Sequence, residues 1–160
     1  MVSGGVAGFD DLVVEGGFLL AVEATDKPAL LAKLAEVAAT RTGLAAEAIA
    51  ERLRLRESLG STGFGGGAAI PHARADLPGV MALVARLAAP LAFDALDGAP
   101  VDIVVLLLSP ENAGADHLKA LARISRTLRD PLRLAAIRAA ATPETLRAAI
   151  AGAPEARRAA

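Results

Sequence analysis

The chain has 160 residues, no cysteine, two histidines and a formal charge of −1. That length suits one domain with a substantial core, and the lack of thiols excludes a disulfide framework or a thiolate metal site. Near-neutral charge, with four Phe and neither Tyr nor Trp, leaves no basic stripe and no stacking platform for a nucleic acid.

Residues 1–17 are glycine-rich and only intermittently apolar, which predicts a flexible lead-in. The first basic residue is Lys27, so this opening lacks the positive head of a secretory signal. Residues 18–22 read as a short buried strand. Asp26 then offers an N-cap and Pro28 an early helical position. Leu30, Leu31, Leu34, Val37 and Ala38 recur at helical spacing toward a stop near Gly43. A second helix is expected over 46–55, with Ile49 and Leu53 inward, and a loop then feeds a strand at 68–70.

Stronger strand signals follow at 80–87, behind the Pro78–Gly79 turn, and at 101–108, behind the Asp97–Gly98 turn that Asp94 and Asp97 shape. The unbroken apolar run 103–108 predicts a central strand buried on both faces. It is far short of the about 20 residues that a bilayer requires, so no membrane insertion is expected and the plain reading is a soluble cytoplasmic protein. Helices are expected over 116–128, with Leu118, Leu121, Ser125 and Leu128 on one face, over 132–139, and from the N-cap Thr142 onward. Residues 153–160 read as a polar, alanine-rich tail. With no repeat or internal linker, one domain is expected over 18–152. The order β-α-α-β-β-β-α-α-α predicts an α/β fold with a mixed β-sheet between helical layers.

The chemistry concentrates in 56–74, RESLGSTGFGGGAAIPHAR. His72 stands directly behind Pro71, which fixes one φ and biases Ile70 toward extended geometry, so the imidazole is carried on a stiff backbone. An imidazole near neutrality can act as a nucleophile without a strong base. Glycines at 60, 63, 65, 66 and 67 let amides approach an anion, and Arg56 and Arg74 can supply fixed positive charge. Taken alone, His72 also reads as a strand-end histidine bonded to backbone, and the glycines as an ordinary loop. No Gly-Lys-Ser/Thr follows them, and Gly63, Gly65 and Gly67 miss a dinucleotide fingerprint, so nucleotide binding is not expected. His117 falls at a helix start, where free N–H groups favour a neutral imidazole or a nearby anion. Neither histidine belongs to a ligand-spaced pair, which disfavours a metal site. Ser61, Thr62 and Ser109 lack the Gly-x-Ser-x-Gly elbow of a hydrolase.

Arg56 and Glu57, the run LGSTGFG at 59–65 and AIPH at 69–72 together resemble the signature of type-2 IIA proteins of the bacterial phosphoenolpyruvate-dependent phosphotransferase system. That family comprises fructose/mannitol IIA domains and nitrogen-regulatory IIA proteins. The likeness continues through FDALDGAPVDIVVLLLSP at 93–110 and DHLKALARISRTLRD at 116–130, and spans roughly 18–150. It implies a three-layer α/β/α sandwich and a phosphoryl group accepted on His72 from a small HPr-type phosphocarrier. Arg56 would pair with the phosphate, His117 would support the phosphohistidine, and Ser61, Thr62, Gly63 and Gly65 would form a phosphate loop. No cofactor, metal or independent turnover is implied. Gly66, Ala68 and Ala73 depart from the family pattern, which often has a polar or acidic residue, a larger aliphatic and a glycine there.

Three functions stay open at this point. The first is a nitrogen-type regulatory IIA acting on regulatory protein targets, which the chain's lack of an attached IIB, IIC or HPr-like domain favours. The second is a sugar-specific, fructose-like IIA passing phosphate to a IIB domain. The third is an interaction module of the same fold with an idle histidine.

Overall fold

A computed structural model describes residues 8–152. The elements run β1 (Val13–Val22), α1 (Lys27–Thr42), α2 (Ala46–Ser58), β2 (Gly63–Gly65), β3 (Ala68–Ala69), β4 (His72–Ala75), β5 (Met81–Leu91), β6 (Val101–Pro110), α3 (Ala115–Leu128), α4 (Pro131–Ala139) and α5 (Pro143–Ala151). The strands form one mixed sheet in the order β1-β5-β6-β3-β2, with β4 also paired to β6. β1 is parallel to β5, β5 is antiparallel to β6, and β3 and β4 run parallel to β6.

β6 is the central strand that its apolar run predicts. Its alternate side chains serve opposite faces. Val104, Leu106 and Leu108 meet Leu30, Leu34, Ile49 and Leu53 of α1 and α2. Ile103, Val105 and Leu107 meet Ile124, Ile137, Leu146 and Ile150 of α3, α4 and α5. The α/β/α sandwich follows from that alternation. Caps fall where the sequence places them: Asp26 accepts from Ala29 N–H (2.9 Å), Gly43 closes α1 at φ 79°, and Thr142 opens α5.

Several elements differ from expectation. β1 begins at Val13, five residues before the expected strand at 18–22, because a register shift between Val13 and Phe18 takes up Gly16 (φ 75°) and Gly17. Of the expected lead-in 1–17, residues 8–17 are held in place: Phe9 is fully buried, and Arg123 pairs with Asp11 and donates to the Gly8 carbonyl (2.6 Å). Residues 1–7 of that lead-in, and the tail 153–160, lie outside the described residues. The loop expected between the second helix and the strand at 68–70 contains β2, folded back antiparallel on β3 through Gly65, Gly66 and Gly67, all at positive φ. The strand expected at 68–70 is interrupted at Pro71, which has no N–H for the ladder, and resumes as β4. β5 runs on to Leu91, beyond the expected 87, through a register shift that re-pairs Leu91 with Val101.

The inward face of α3 is also rotated. His117, Ala120, Ile124, Thr127 and Leu128 are buried, whereas Leu118 is 66% exposed. A small alanine and a histidine give a weak apolar signal, so leucine spacing took in Leu118, which faces outward, although Leu121 and Leu128 do pack inward. That rotation turns His117 inward.

Candidate functional site

Arg52 and Arg56 lie one turn apart in α2 and therefore share a helix face, the one that meets β4. Beside them the chain crosses Pro71, whose carbonyl accepts from Leu107 N–H (3.0 Å), and His72 then pairs with Leu107 to open β4. The imidazole folds back on its own strand, placing Nδ1 2.8 Å from the Ile70 carbonyl. A carbonyl only accepts, so Nδ1 carries the ring proton and Nε2 keeps the free lone pair. Arg56 donates its Nε–H to that Nε2 across 3.2 Å and its Nη1–H to the Gly60 carbonyl across 2.9 Å. Burial pushes the His72 pKa below the usual 6.5; the Ile70 bond opposes this shift and the Arg56 charge adds to it.

His117, the third residue of α3, is 6% exposed and lies with its ring centroid 5.6 Å from that of His72, at an interplanar angle of 55°. Its Nδ1 is 2.7 Å from Ser109 Oγ at the end of β6. Burial again lowers the pKa, followed by the charges of Arg74 and His72. Both rings are thus neutral near pH 7.

The two histidines share one shallow depression of about 610 Å³ with Arg52, Arg56 and Arg74. Arg52 is tied to Glu111 (3.0 Å) and to the Arg74 carbonyl (3.0 Å). Leu55 and Leu59, 59% and 84% exposed, stand at its edge. The arrangement offers a neutral nucleophilic nitrogen among fixed cations, with an apolar margin. It can hold a tetrahedral dianion, because guanidinium forks match its oxygens.

The structure brings Arg56, His72 and His117 together, with Arg74, but not the four residues expected to form a phosphate loop. Ser61 Oγ donates to the Phe93 carbonyl (2.6 Å) and accepts from Gly63 N–H (3.1 Å). Thr62 gives its N–H and hydroxyl to the Glu57 carboxylate, at 2.9 and 2.7 Å. Gly63 and Gly65 pair with Ala69 and Ala68 in the β2–β3 hairpin. These groups are engaged within the protein, outside the lining of the depression. What this segment delivers to the site is the Gly60 carbonyl that holds Arg56.

Sequence reasoning missed several participants. Glu57, its side chain 7% exposed, joins Thr62 to Lys27 (3.0 Å) and so anchors the segment that bears Gly60. Arg52 had a usable signal in its four-residue spacing from Arg56. The Ile70 carbonyl and the Ser109 contact carry none, since they depend on a ring turning back and on the β6–α3 connection.

Residues 14–152 match the family described as phosphoenolpyruvate-dependent sugar phosphotransferase system, EIIA 2. The chain belongs to this family. Within it, similarity extends to the nitrogen-regulatory branch: a nitrogen regulatory protein of Bradyrhizobium diazoefficiens is 50% identical over 121 residues, covering 75% of this chain and 79% of the relative. The crystal structure of nitrogen regulatory protein IIA-Ntr from Neisseria meningitidis superposes with a TM-score of 0.84 at 29% identity, covering 89% of this chain and 98% of that one. The same fold recurs in IIA-mannitol of Escherichia coli, solved in complex with phosphorylated IIB-mannitol, with a TM-score of 0.71 at 13% identity, over 88% of this chain and 98% of that one. Among the described residues, no helix is long and apolar enough to cross a membrane.

Proposed function

We propose that this IIA protein is a cytoplasmic phosphoryl carrier of the nitrogen-regulatory type. His72 takes a phosphoryl group from an HPr-type phosphocarrier, and the phosphorylated form is read by regulatory protein targets. The observation that carries the reading is the orientation of His72: its proton is held at Nδ1 by the Ile70 carbonyl, which leaves a bare Nε2 against Arg56.

In the transfer, the Nε2 lone pair attacks the phosphorus of the carrier's phosphohistidine. A new N–P bond forms as the carrier's P–N bond breaks, and that bonding pair leaves with the carrier's imidazole. Nε2 cannot bond phosphorus and accept from Arg56 together, so the guanidinium turns to the phosphoryl oxygens, joined by Arg74 across the depression. His72 retains its Nδ1 proton, and the Ile70 carbonyl faces the positive ring. A cationic imidazole leaves readily, which keeps the group transferable. Such catalysis rests on positioning and charge compensation. Exposed Leu55 and Leu59 give an incoming protein an apolar margin around the reacting nitrogen.

The test is incubation with phosphoenolpyruvate, enzyme I and the carrier, followed by intact mass. An acid-labile, base-stable phosphate is expected, absent in His72→Ala; label persisting in that variant defeats the assignment. A purified fructose-type IIB domain should accept phosphate poorly, and rapid, complete transfer to it would place the protein in the sugar-specific class.

A further inference from the structure

We infer that Ser109 is a positioning residue that fixes His117 in the tautomer opposite to that of His72. One imidazole of the pair then presents a lone pair at Nε2, and the other presents an N–H there.

Ser109 is fully buried on β6, and among the described residues its hydroxyl makes one hydrogen bond, the 2.7 Å contact with His117 Nδ1. A hydroxyl can donate or accept, so the distance alone does not assign the proton. Burial does. If Nδ1–H donated to Oγ, the serine proton would be left without an acceptor at a solvent-inaccessible position, which is costly for a buried polar group. Donation from Oγ–H to Nδ1 satisfies both groups with one bond. Nδ1 is then bare, and the single proton of the neutral ring sits on Nε2.

Nδ1 points at the buried serine, so the far edge of the ring is the part that lines the depression beside His72. His72 is locked the other way by an acceptor that cannot donate. A backbone carbonyl and a side-chain hydroxyl thus sort two identical rings into an acceptor and a donor, 5.6 Å apart. The lowered pKa of His117 agrees, since a doubly protonated ring would deny Ser109 its acceptor. After transfer, the Nε2–H of His117 is a neutral donor for a phosphoryl oxygen on His72, which adds no net charge to a pocket that already has three arginines.

The consequence for transfer rests on the phosphoryl-carrier reading, but the tautomers can be observed with no phosphate present. Long-range proton–nitrogen spectra of imidazole-labelled protein at neutral pH should show His72 protonated at Nδ1 and His117 at Nε2. In Ser109→Ala, the His117 Nδ1 resonance should move toward that of an unbonded imine nitrogen. Phosphoryl acceptance by His72 should slow by about fivefold, the equivalent of one ordinary hydrogen bond. Ser109→Thr, which keeps the hydroxyl, should restore both. The inference is overturned if His117 is protonated at Nδ1 in the unaltered protein, or if Ser109→Ala leaves its nitrogen signals or the rate where they were. Should Ser109→Ala not fold, the unaltered spectrum and Ser109→Thr still decide. Absence of phosphate on the unaltered protein would count against the carrier reading alone.

Discussion

Arg56 holds His72 and the Gly60 carbonyl with two different nitrogens, Nε at 3.2 Å and Nη1 at 2.9 Å. A guanidinium does this with two N–H groups in a rigid fork, whereas an ammonium offers rotatable donors from a single nitrogen on a flexible stem and holds two separated acceptors less well. Arg56→Lys should therefore behave much more like Arg56→Ala than like the parent. We expect phosphoryl acceptance to fall by about 10- to 100-fold in both, the loss of one or two charge-assisted bonds, with little change in Tm because Arg56 is only half-buried. Rapid-quench transfer assays from the phosphorylated carrier would measure it, and parental rates in the lysine variant would show that charge alone suffices.

Both site histidines have pKa values lowered mainly by burial, and this sets a direction for stability against pH. In the unfolded chain they take up protons near 6.5, whereas the folded protein resists protonation until lower pH. The unfolded state thus binds more protons in that interval, so stability should fall as pH drops from about 6.5 and level off once the folded-state values are passed. Asp11 works in another window: Arg123 depresses its carboxyl, so its contribution is present above 3.8 and lost as pH falls through the lowered value. Urea midpoints across pH should show two separate declines. His72→Gln should flatten the upper one, and an unchanged slope in that variant would mean that His72 is not held neutral by the fold.

How much was legible in the sequence depended on whether a feature was local. Asp26, Pro28 and Gly43 bound α1 because caps are determined within a few residues. The run 103–108 announced a doubly buried strand because nothing polar interrupts it. His72 was legible through its proline and its neighbours. The extra strands β2 and β4 were hidden, since three and four residues containing glycine or histidine carry little strand signal until β6 supplies a ladder. The glycine run looked like an anion cradle, yet its residues close a hairpin. Serine and threonine in such a segment bond as readily to nearby carbonyls and carboxylates as to a ligand, and here they do.

Glu57 is the test of whether that segment positions Arg56. Its carboxylate receives Thr62 N–H, the Thr62 hydroxyl and Lys27 Nζ, and its side chain is 7% exposed. Removing it leaves buried donors without an acceptor, so Glu57→Ala should cost about 2–4 kcal/mol, and Glu57→Gln less, since an amide oxygen still accepts. Phosphoryl acceptance should fall in both variants at temperatures where they remain folded, because the Gly60 carbonyl loses its anchor. Chemical denaturation together with transfer rates measures the two effects, and a destabilised variant with parental kinetics would restrict Glu57 to a structural part.

The hairpin turn makes a sharper comparison between two adjacent glycines. Gly66 and Gly67 both have left-handed backbones, at φ 69° and 83°, so alanine at either incurs about 1–2 kcal/mol of backbone strain. Their surroundings differ. A Cβ on Gly66 meets its nearest neighbour, Leu134 Cδ1, at an ordinary 3.7 Å. One on Gly67 would run into Arg138 Nη2 and lie 2.9 Å from Asp102 Oδ1. Those atoms form the two-pronged Arg138–Asp102 pair, both contacts 2.8 Å, and Arg138 also donates to the Gly66 carbonyl (2.8 Å). Gly67→Ala must therefore break a fork as well as strain the backbone, and we expect it to be less stable than Gly66→Ala by at least about 1 kcal/mol. Ala21, a non-glycine residue at φ 55°, supplies the opposite sign: Ala21→Gly should leave stability unchanged or raise it by up to about 1 kcal/mol. Equal losses for the two turn glycines would mean that Arg138 swings aside freely, and the tie between α4 and the hairpin would then contribute nothing to holding the strands that lead into His72.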